Sequence, residues 1–325
     1  MPADTLDFEE PVSVLLKEIE ALSLLPRIPE REREIDSLRR RADSIRAEIY
    51  AKLGPWQCVQ VARHPNRPNT VDYVERLFTE FSEVHGDRRF ADDHAIVAGF
   101  ALYHDQPVAV VGHQKGSDTK QKIYRNFGYA RPEGYRKALR VMKMAEKFAR
   151  PIIVFVDTPA AYPGVESEER GVAEAIAFNL REMAVLEVPI VVVVAGEGGS
   201  GGALGIAVGD RVLMQEFAVY SVIPPEGCAA ILWRDSGRKV EAAEALKITA
   251  PDLIKRGIID EIVKEPVGGA HTDHAAAAEL LDRSLQRALA DASAPPVDTR
   301  LALRYEKFRG MGKLGSDFVI EGDGR

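Results

Sequence analysis

At 325 residues, 46% of them hydrophobic, the chain can bury one large α/β core or two smaller ones. Its net charge of −7 argues against nucleic acid as the main partner, while leaving room for local basic patches. Cys58 and Cys228 are the only cysteines, which argues against a disulfide framework and a structural zinc site and points to a reducing compartment. No stretch reads as a secretory signal or as the ~18 apolar residues of a spanning helix, so the expected location is the cytoplasm.

Residues 8–53 predict two helices joined by SLLPRIPE, the first stopped by Pro26 and Pro29. Ile35, Leu38, Ala42, Ile45 and Ile49 recur at spacings of three and four, a short seam for a helical hairpin or a subunit contact. ARHPNRPNT (62–70) reads as a loop and a domain edge. Thr70 is placed to cap a helix with Val74, Leu77, Phe78 and Phe81 on one face. AIVAGFALY and PVAVVGH flank HDQP as a hairpin. From residue 132 the order is helix, strand PIIVFVDTP, helix, strand VPIVVVVAG. These β-branched runs mark strands covered on both faces, hence a parallel sheet. DRVLMQ and AVYSVI predict further short strands. Helices are expected at about 225–234, 240–256 and 273–291, with a polar tail after Pro296.

VVVVAGEGGSGGALGIAVGD (191–210) fits three motifs. Gly196, Gly198 and Gly201 match a dinucleotide fingerprint, with Glu216 where a ribose-binding acid belongs. Against this, the seven residues ALGIAVG before Asp210 look too short for a crossover helix. The P-loop template fails for want of a following Lys-Ser/Thr. Gly198, Ser200 and Gly202 match a nucleophile elbow, with Asp260 and His271 or His274 downstream as triad partners. These histidines, however, open an Ala-rich helix and read better as capping or surface residues. The third reading is a backbone oxyanion hole, which needs no side chain and exploits close approach at glycine. Five glycines within 196–202 exceed what a tight turn demands.

A second loop, DTPAAYPGVESEERG (157–171), leaves the preceding parallel strand at its carboxyl end, where ligands of open α/β sheets collect. The two loops are expected to wall one site. Segment 113–140 carries eight Lys and Arg against two acids, which reads as a solvated face or as a strip for phosphate-bearing ligands; Lys115, Lys120, Lys122 and Arg125 are its candidate ligands. Met142-Lys143-Met144 imitates a biotinylation signal, but it lies in a helix with Leu139, Met142, Ala145 and Phe148 facing inward, so Lys143 is not a biotin carrier site. The histidines form no metal-ligand cluster beyond His271-x-x-His274.

LDFEEP, ADDHAIV, GHQKG, RNFGYARPEGYRKALR, DTPAAYPGVESEERG, GEGGSGGALGI, YSVIPPEGCAAILW and EPVGGAH occur in that order. Together they closely resemble the carboxyltransferase alpha subunit of bacterial-type multisubunit acetyl-CoA carboxylase, from Leu6 to about residue 291. The resemblance implies an α/β, crotonase-like spiral of ββα units. It divides the chain into an N-terminal helical arm (1–55), a carboxyltransferase domain (56–291) and a C-terminal tail (292–325). It implies carboxyl transfer from carboxybiotin, held on a biotin carboxyl carrier protein, to acetyl-CoA, giving malonyl-CoA for fatty-acid synthesis. The implied site is shared with a beta subunit in an α2β2 assembly that also works with biotin carboxylase, and any zinc belongs to the beta subunit. Backbone N–H groups of Gly201 and Gly202 would then hold the ureido oxygen of biotin. Gly198, Gly199, Ser200, Ala160, Tyr162, Pro163 and Gly164 would line the carboxybiotin site. On that chemistry no side chain need be the base, and catalysis is positioning plus electrostatics. The runner-up functions are a stand-alone crotonase-like hydratase or hydrolase using an acid such as Glu168 or Glu226, and a non-catalytic scaffold. Ala160 departs from the family pattern, which has glycine there, so strain or narrowing of the loop is expected if that position needs positive φ.

Overall fold

The computed structural model describes residues 6–312. Two helices, α1 (Glu10–Ser23) and α2 (Pro29–Tyr50), form the expected arm. Val12 and Leu15 meet Leu38, Ala42, Ile45 and Ile49 across it, so the short seam closes on its own partner helix. Both helices start with proline in the first turn, where the missing N–H is no loss.

Helices α3 (Pro55–Ala62) and α4 (Thr70–Leu77) lead into the sheet. The helix expected to run on to Phe81 stops at Leu77. Phe78 turns extended, and the chain continues as strand β1 (Thr79–Glu83), paired antiparallel with β2 (Ile96–Tyr103). The cap is Asn69, whose backbone N–H donates to Asp72. Thr70 instead sends its hydroxyl to the carbonyl of His113. The β2–β3 hairpin, β3 being Gln106–His113, pairs Tyr103 with Gln106. His104 and Asp105 both take positive φ, the conformation a two-residue turn needs to match strand twist.

Next come α5 (Thr119–Tyr124), α6 (Pro132–Lys147), β4 (Ile152–Thr158), α7 (Val165–Glu169), α8 (Val172–Val185), β5 (Ile190–Gly199), α9 (Ser200–Leu204), β6 (Arg211–Gln215) and β7 (Val219–Ser221). Then follow α10 (Pro225–Trp233), α11 (Lys239–Leu246), α12 (Ala250–Lys255), β8 (Glu261–Val263), α13 (His274–Ser293) and α14 (Val297–Gly310). The sheet order is β1-β2-β3-β4-β5-β6-β8, with β7 beside the far end of β5, and every pairing from β3 onward is parallel.

β4 is wholly buried and β5 nearly so, because both faces are covered. On one face Val154, Val156 and Val192 pack against Tyr135, Met142 and Met183 of α6 and α8. On the other, Ile153, Phe155 and Val193 pack against Tyr73 and Leu285 of α4 and α13. The valine and isoleucine runs thus read correctly as a doubly covered parallel sheet.

Several expectations need correction. β5 and β6 are parallel neighbours joined through α9, only five residues long, so the short connection does not forbid a crossover. Phe148 is exposed rather than inward, because α6 ends before it. The helix expected over 240–256 breaks at Lys247, which takes positive φ, into α11 and α12. Loop 62–70 buries three polar side chains, His64, Arg67 and Asn69. After Pro296 the chain forms α14, which seats Arg300 and Arg304 in the body; residues 313–325 of the expected tail lie outside the described residues. No described helix is long and apolar enough to cross a membrane.

Candidate active site

β4 and β5 run side by side and end together, Thr158 pairing with Gly198. Their carboxyl ends carry the two glycine/proline loops, so the loops face each other as expected. The glycines set how closely. A Cβ on Gly199 would lie 1.8 Å from the carbonyl oxygen of Pro159, and one on Gly202 would lie 2.3 Å from the nitrogen of Ala161. Backbone atoms cannot rotate away, so only glycine permits this approach. A Cβ on Gly198 would strike the Tyr220 ring at 2.5 Å. Gly201 differs: its nearest neighbour would be Ile176 Cδ1 at 3.8 Å.

The turn enters α9 through Ser200, held at φ 50. The first N–H groups of any helix lack intrahelical acceptors, which here means the first turn from Ser200 to Gly202. Gly202 is buried with its carbonyl accepting from the Tyr135 hydroxyl, whereas Gly201 is half-buried. Gly201, Ser200 and Leu204 border an apolar cleft of about 260 Å³ that Tyr220, Phe308 and Met311 also line. Beneath the turn lies fully buried His113, whose imidazole burial pushes down to about 3 against the pull of the Gly202 carbonyl. It is therefore neutral at physiological pH.

Across the site Thr158 donates its hydroxyl to the carbonyls of Gly128 and Ala160, and the Tyr162 N–H donates to Ala130. Tyr162 carries the Arg131 guanidinium 4.8 Å from its ring centroid. Gly164 abuts that ring, and Pro163 is exposed. Ala160 is absent from the positive-φ residues, so the strain feared for it does not arise. Replacing Ala160→Gly is accordingly expected to leave turnover and substrate affinity within about threefold, as for other unstrained substitutions, measured by steady-state kinetics. A gain of tenfold or more would show that the methyl narrows the site.

The rival side-chain chemistries lose their partners. Asp260 accepts from the Val212 N–H and pairs with Lys307. His271 stacks on His64 at 3.8 Å, and His274 reaches the Asn66 carbonyl at 2.7 Å. None of the three is engaged with Ser200. Glu216, the candidate ribose-binding acid, pairs instead with Lys264. Lys143 sits within α6, paired to Glu146 and Glu182. Among the described residues no group of His, Cys, Asp and Glu is arranged to hold a metal.

The basic strip divides. Lys120 is exposed and Lys122 half-buried on α5, while Arg125 reaches the His94 carbonyl. Lys115, grouped with them as a phosphate ligand, is instead largely buried between Asp157 and Glu197, each 2.7 Å from its ammonium. Two carboxylates already pair its charge, which weakens the phosphate reading for it. Arg63 escaped notice in sequence because it sits in a loop read as an edge. It bonds both Glu197 and Glu226 at 2.6 Å. Together Arg63, Lys115, Lys122, Glu197 and Glu226 line an open concavity of about 550 Å³.

A family model described as acetyl co-enzyme A carboxylase carboxyltransferase-like matches residues 5–312. The chain belongs to the acetyl-CoA carboxylase carboxyltransferase alpha-subunit family. It is 58% identical over 310 residues to acetyl-coenzyme A carboxylase carboxyl transferase subunit alpha of Geobacter metallireducens, covering 95% of this chain and 98% of that one. The same subunit of Geobacter sulfurreducens is 60% identical over 275 residues, covering 85% and 86%. Among solved structures, transcarboxylase 12S aligns with a TM-score of 0.57 at 20% identity, over 70% of this chain and 42% of that chain. This chain thus spans about two fifths of the transcarboxylase chain. The geranyl-CoA carboxylase beta subunit of P. aeruginosa gives 0.54 at 19% identity, over 75% and 46%. At such identities these two show the fold, and it is the expected crotonase-like α/β carboxyltransferase fold. The family supports the carboxyltransferase-subunit reading over a stand-alone hydratase or a scaffold.

Proposed function

We propose that this alpha subunit moves a carboxyl group from carboxybiotin, presented on a biotin carboxyl carrier protein, to acetyl-CoA, giving malonyl-CoA for fatty-acid synthesis in the cytoplasm. Biotin carboxylase would reload the carrier. The carboxyltransferase beta subunit would complete the site in an α2β2 assembly and bring the zinc. In this reading the arm (1–55), the body (56–291) and the segment from 292 onward are the working divisions of the chain.

The observation that carries the reading is the glycine turn itself. It is pressed on the backbone of Ala160 and Ala161, it opens at Gly201 onto a cleft, and it bears no His, Cys or carboxylate between Gly198 and Ala203. Such a turn offers N–H groups and shape, which suits a neutral ureido oxygen that gains negative charge. When bound, carboxybiotin supplies the carboxyl group. Gly201 and Gly202 would then hold the ureido oxygen through their N–H groups, each such donor being worth ~10²–10³ in rate. Gly198, Gly199 and Ser200 on one side, with Ala160, Tyr162, Pro163 and Gly164 on the other, would hold the ring between the loops. Lys120, Lys122 and Arg125 would supply positive charge for phosphate groups.

Purified chain mixed with its beta partner is expected to decarboxylate malonyl-CoA when biocytin is added, and neither subunit alone is expected to do so. Turnover by the isolated chain would sink the shared site, and turnover without biocytin would sink the biotin dependence.

A further inference from the structure

The glycine turn is fixed by charge as well as by packing. Glu197 directly precedes Gly198 at the end of β5 and is 7% exposed. Its carboxylate accepts from Lys115 Nζ at 2.7 Å and from Arg63 Nε at 2.6 Å. Lys115 follows β3 and also bonds Asp157 near the end of β4. Asp157 Oδ1 in turn accepts the backbone N–H of Glu197 at 2.9 Å. Gly196 is glycine for this reason, since a Cβ there would lie 2.3 Å from the same oxygen. Arg63, just past α3, reaches on to Glu226 at the start of α10. One node therefore ties the ends of β3, β4 and β5 to two helices, directly below the turn.

Two other roles for Glu197 fit poorly. Burial opposes its ionisation, but Lys115 and Arg63 outweigh burial and hold the carboxyl at about 2, so it carries no proton to exchange near neutrality. Both cations are in turn held by carboxylates, which leaves little net positive charge for an anionic ligand.

Resting on the carboxyl-transfer reading, we propose that Glu197, clamped by Lys115 and Arg63, is a positioning residue. It aims the carboxyl end of β5 so that the N–H groups of Gly201 and Gly202 converge. An ion-paired node of this kind is stiff because Glu197, Lys115 and Arg63 are each held by two partners of opposite charge, so moving one group strains several short contacts at once. Displacing reacting groups by about 1 Å costs on the order of 10²-fold in rate, so the reaction is sensitive to this node without touching it.

The test uses the assembled alpha–beta complex carrying Glu197→Gln or Arg63→Lys. Malonyl-CoA decarboxylation with biocytin is followed across pH, and amide hydrogen exchange is followed over residues 191–210. Glu197→Gln is expected to lower kcat by roughly 10- to 100-fold. KM for malonyl-CoA should stay within about threefold, and the loss should be equal between about pH 6 and 9. Exchange should quicken at Gly198–Gly202 and stay unchanged in the β2–β3 hairpin. Arg63→Lys, which keeps the charge but cannot span both carboxylates, should fall between wild type and Glu197→Gln. Unchanged kcat and exchange would overturn the proposal. So would a raised KM with intact kcat, a pH-dependent loss, or faster exchange throughout the chain. A wild-type complex without turnover would instead overturn the carboxyl-transfer reading, and the exchange comparison would still report whether Glu197 orders the turn.

Discussion

In complex with the beta subunit, Gly202→Ala is expected to lose at least about 10²-fold in turnover, while Gly201→Ala stays within about threefold of wild type. The two positions are adjacent in a glycine-rich motif, and sequence gives no ground for separating them. The structure does. A methyl on Gly202 would sit 2.3 Å from Ala161 N and 2.4 Å from the Ala160 carbonyl carbon. Both are backbone atoms of the opposite wall, so the two loops must part. Overpacking of this sort typically costs about 1–3 kcal/mol in stability as well. A methyl on Gly201 meets only Ile176 Cδ1 at 3.8 Å, an ordinary contact, and leaves its N–H in place. Steady-state kinetics of the two variants, with assembly checked by size-exclusion chromatography, decides the matter. Equal turnover would mean that the facing loops do not set the geometry of the site.

Arg304→Ala is expected to destabilise the chain by about 3–5 kcal/mol, the usual cost of stripping one partner from a buried ion pair. Arg304 is 1% exposed and every one of its nitrogens is engaged. It forks onto both oxygens of Asp210 at 2.8 Å and donates to the carbonyls of Met183, Leu186 and Val188. Those carbonyls close the end of α8 and the approach to β5, so the guanidinium serves as the cap that α8 lacks. Without it the Asp210 carboxylate keeps the Ile190 N–H and the nearby Lys307 charge, but no ion pair of its own, in a site 7% exposed. Arg304→Lys should recover little, because an ammonium cannot fork across a carboxylate and three carbonyls. Asp210→Asn added to Arg304→Ala should recover part of the loss, since it removes the stranded charge. Thermal melting reads all three variants, and an Arg304→Ala midpoint equal to wild type would show that α14 is not docked. The same helix brings Phe308 to the apolar cleft beside Gly201. Loss of the dock is therefore expected to reach the site.

Local pattern was sufficient wherever a residue's role depends on its near neighbours. The runs IIVFV and IVVVV are buried on both faces because β-branched side chains without polar alternation have no solvent face to offer. The three- and four-residue spacing of Leu38, Ala42, Ile45 and Ile49 fixed the arm, and the order of the long motifs fixed the family. The glycine turn and its facing loop were legible for the same reason, as both lie at the ends of strongly patterned strands.

What tertiary structure alone decided depends on partners far along the chain. Arg63 meets Glu197 from 134 residues away, and Arg304 meets Asp210 from 94, so no local spacing signals either pair. Lys115 looked like a phosphate ligand because its neighbours in sequence are basic, but its neighbours in space are Asp157 and Glu197. The stretch after Pro296 looked like a polar tail because α14 docks through arginines, whose buried bonds a hydrophobic pattern cannot show. Ala160 looked strained by comparison with glycine, yet the missing φ sign resided in the backbone and not in the residue name. Sequence by itself determined the long buried strands and the glycine turns at their ends, but not β1, whose residues it extended as helix, nor the short β8. The ion pairs and backbone contacts that aim them were settled only when the strands came together, because electrostatic and steric contacts act through space rather than along the chain.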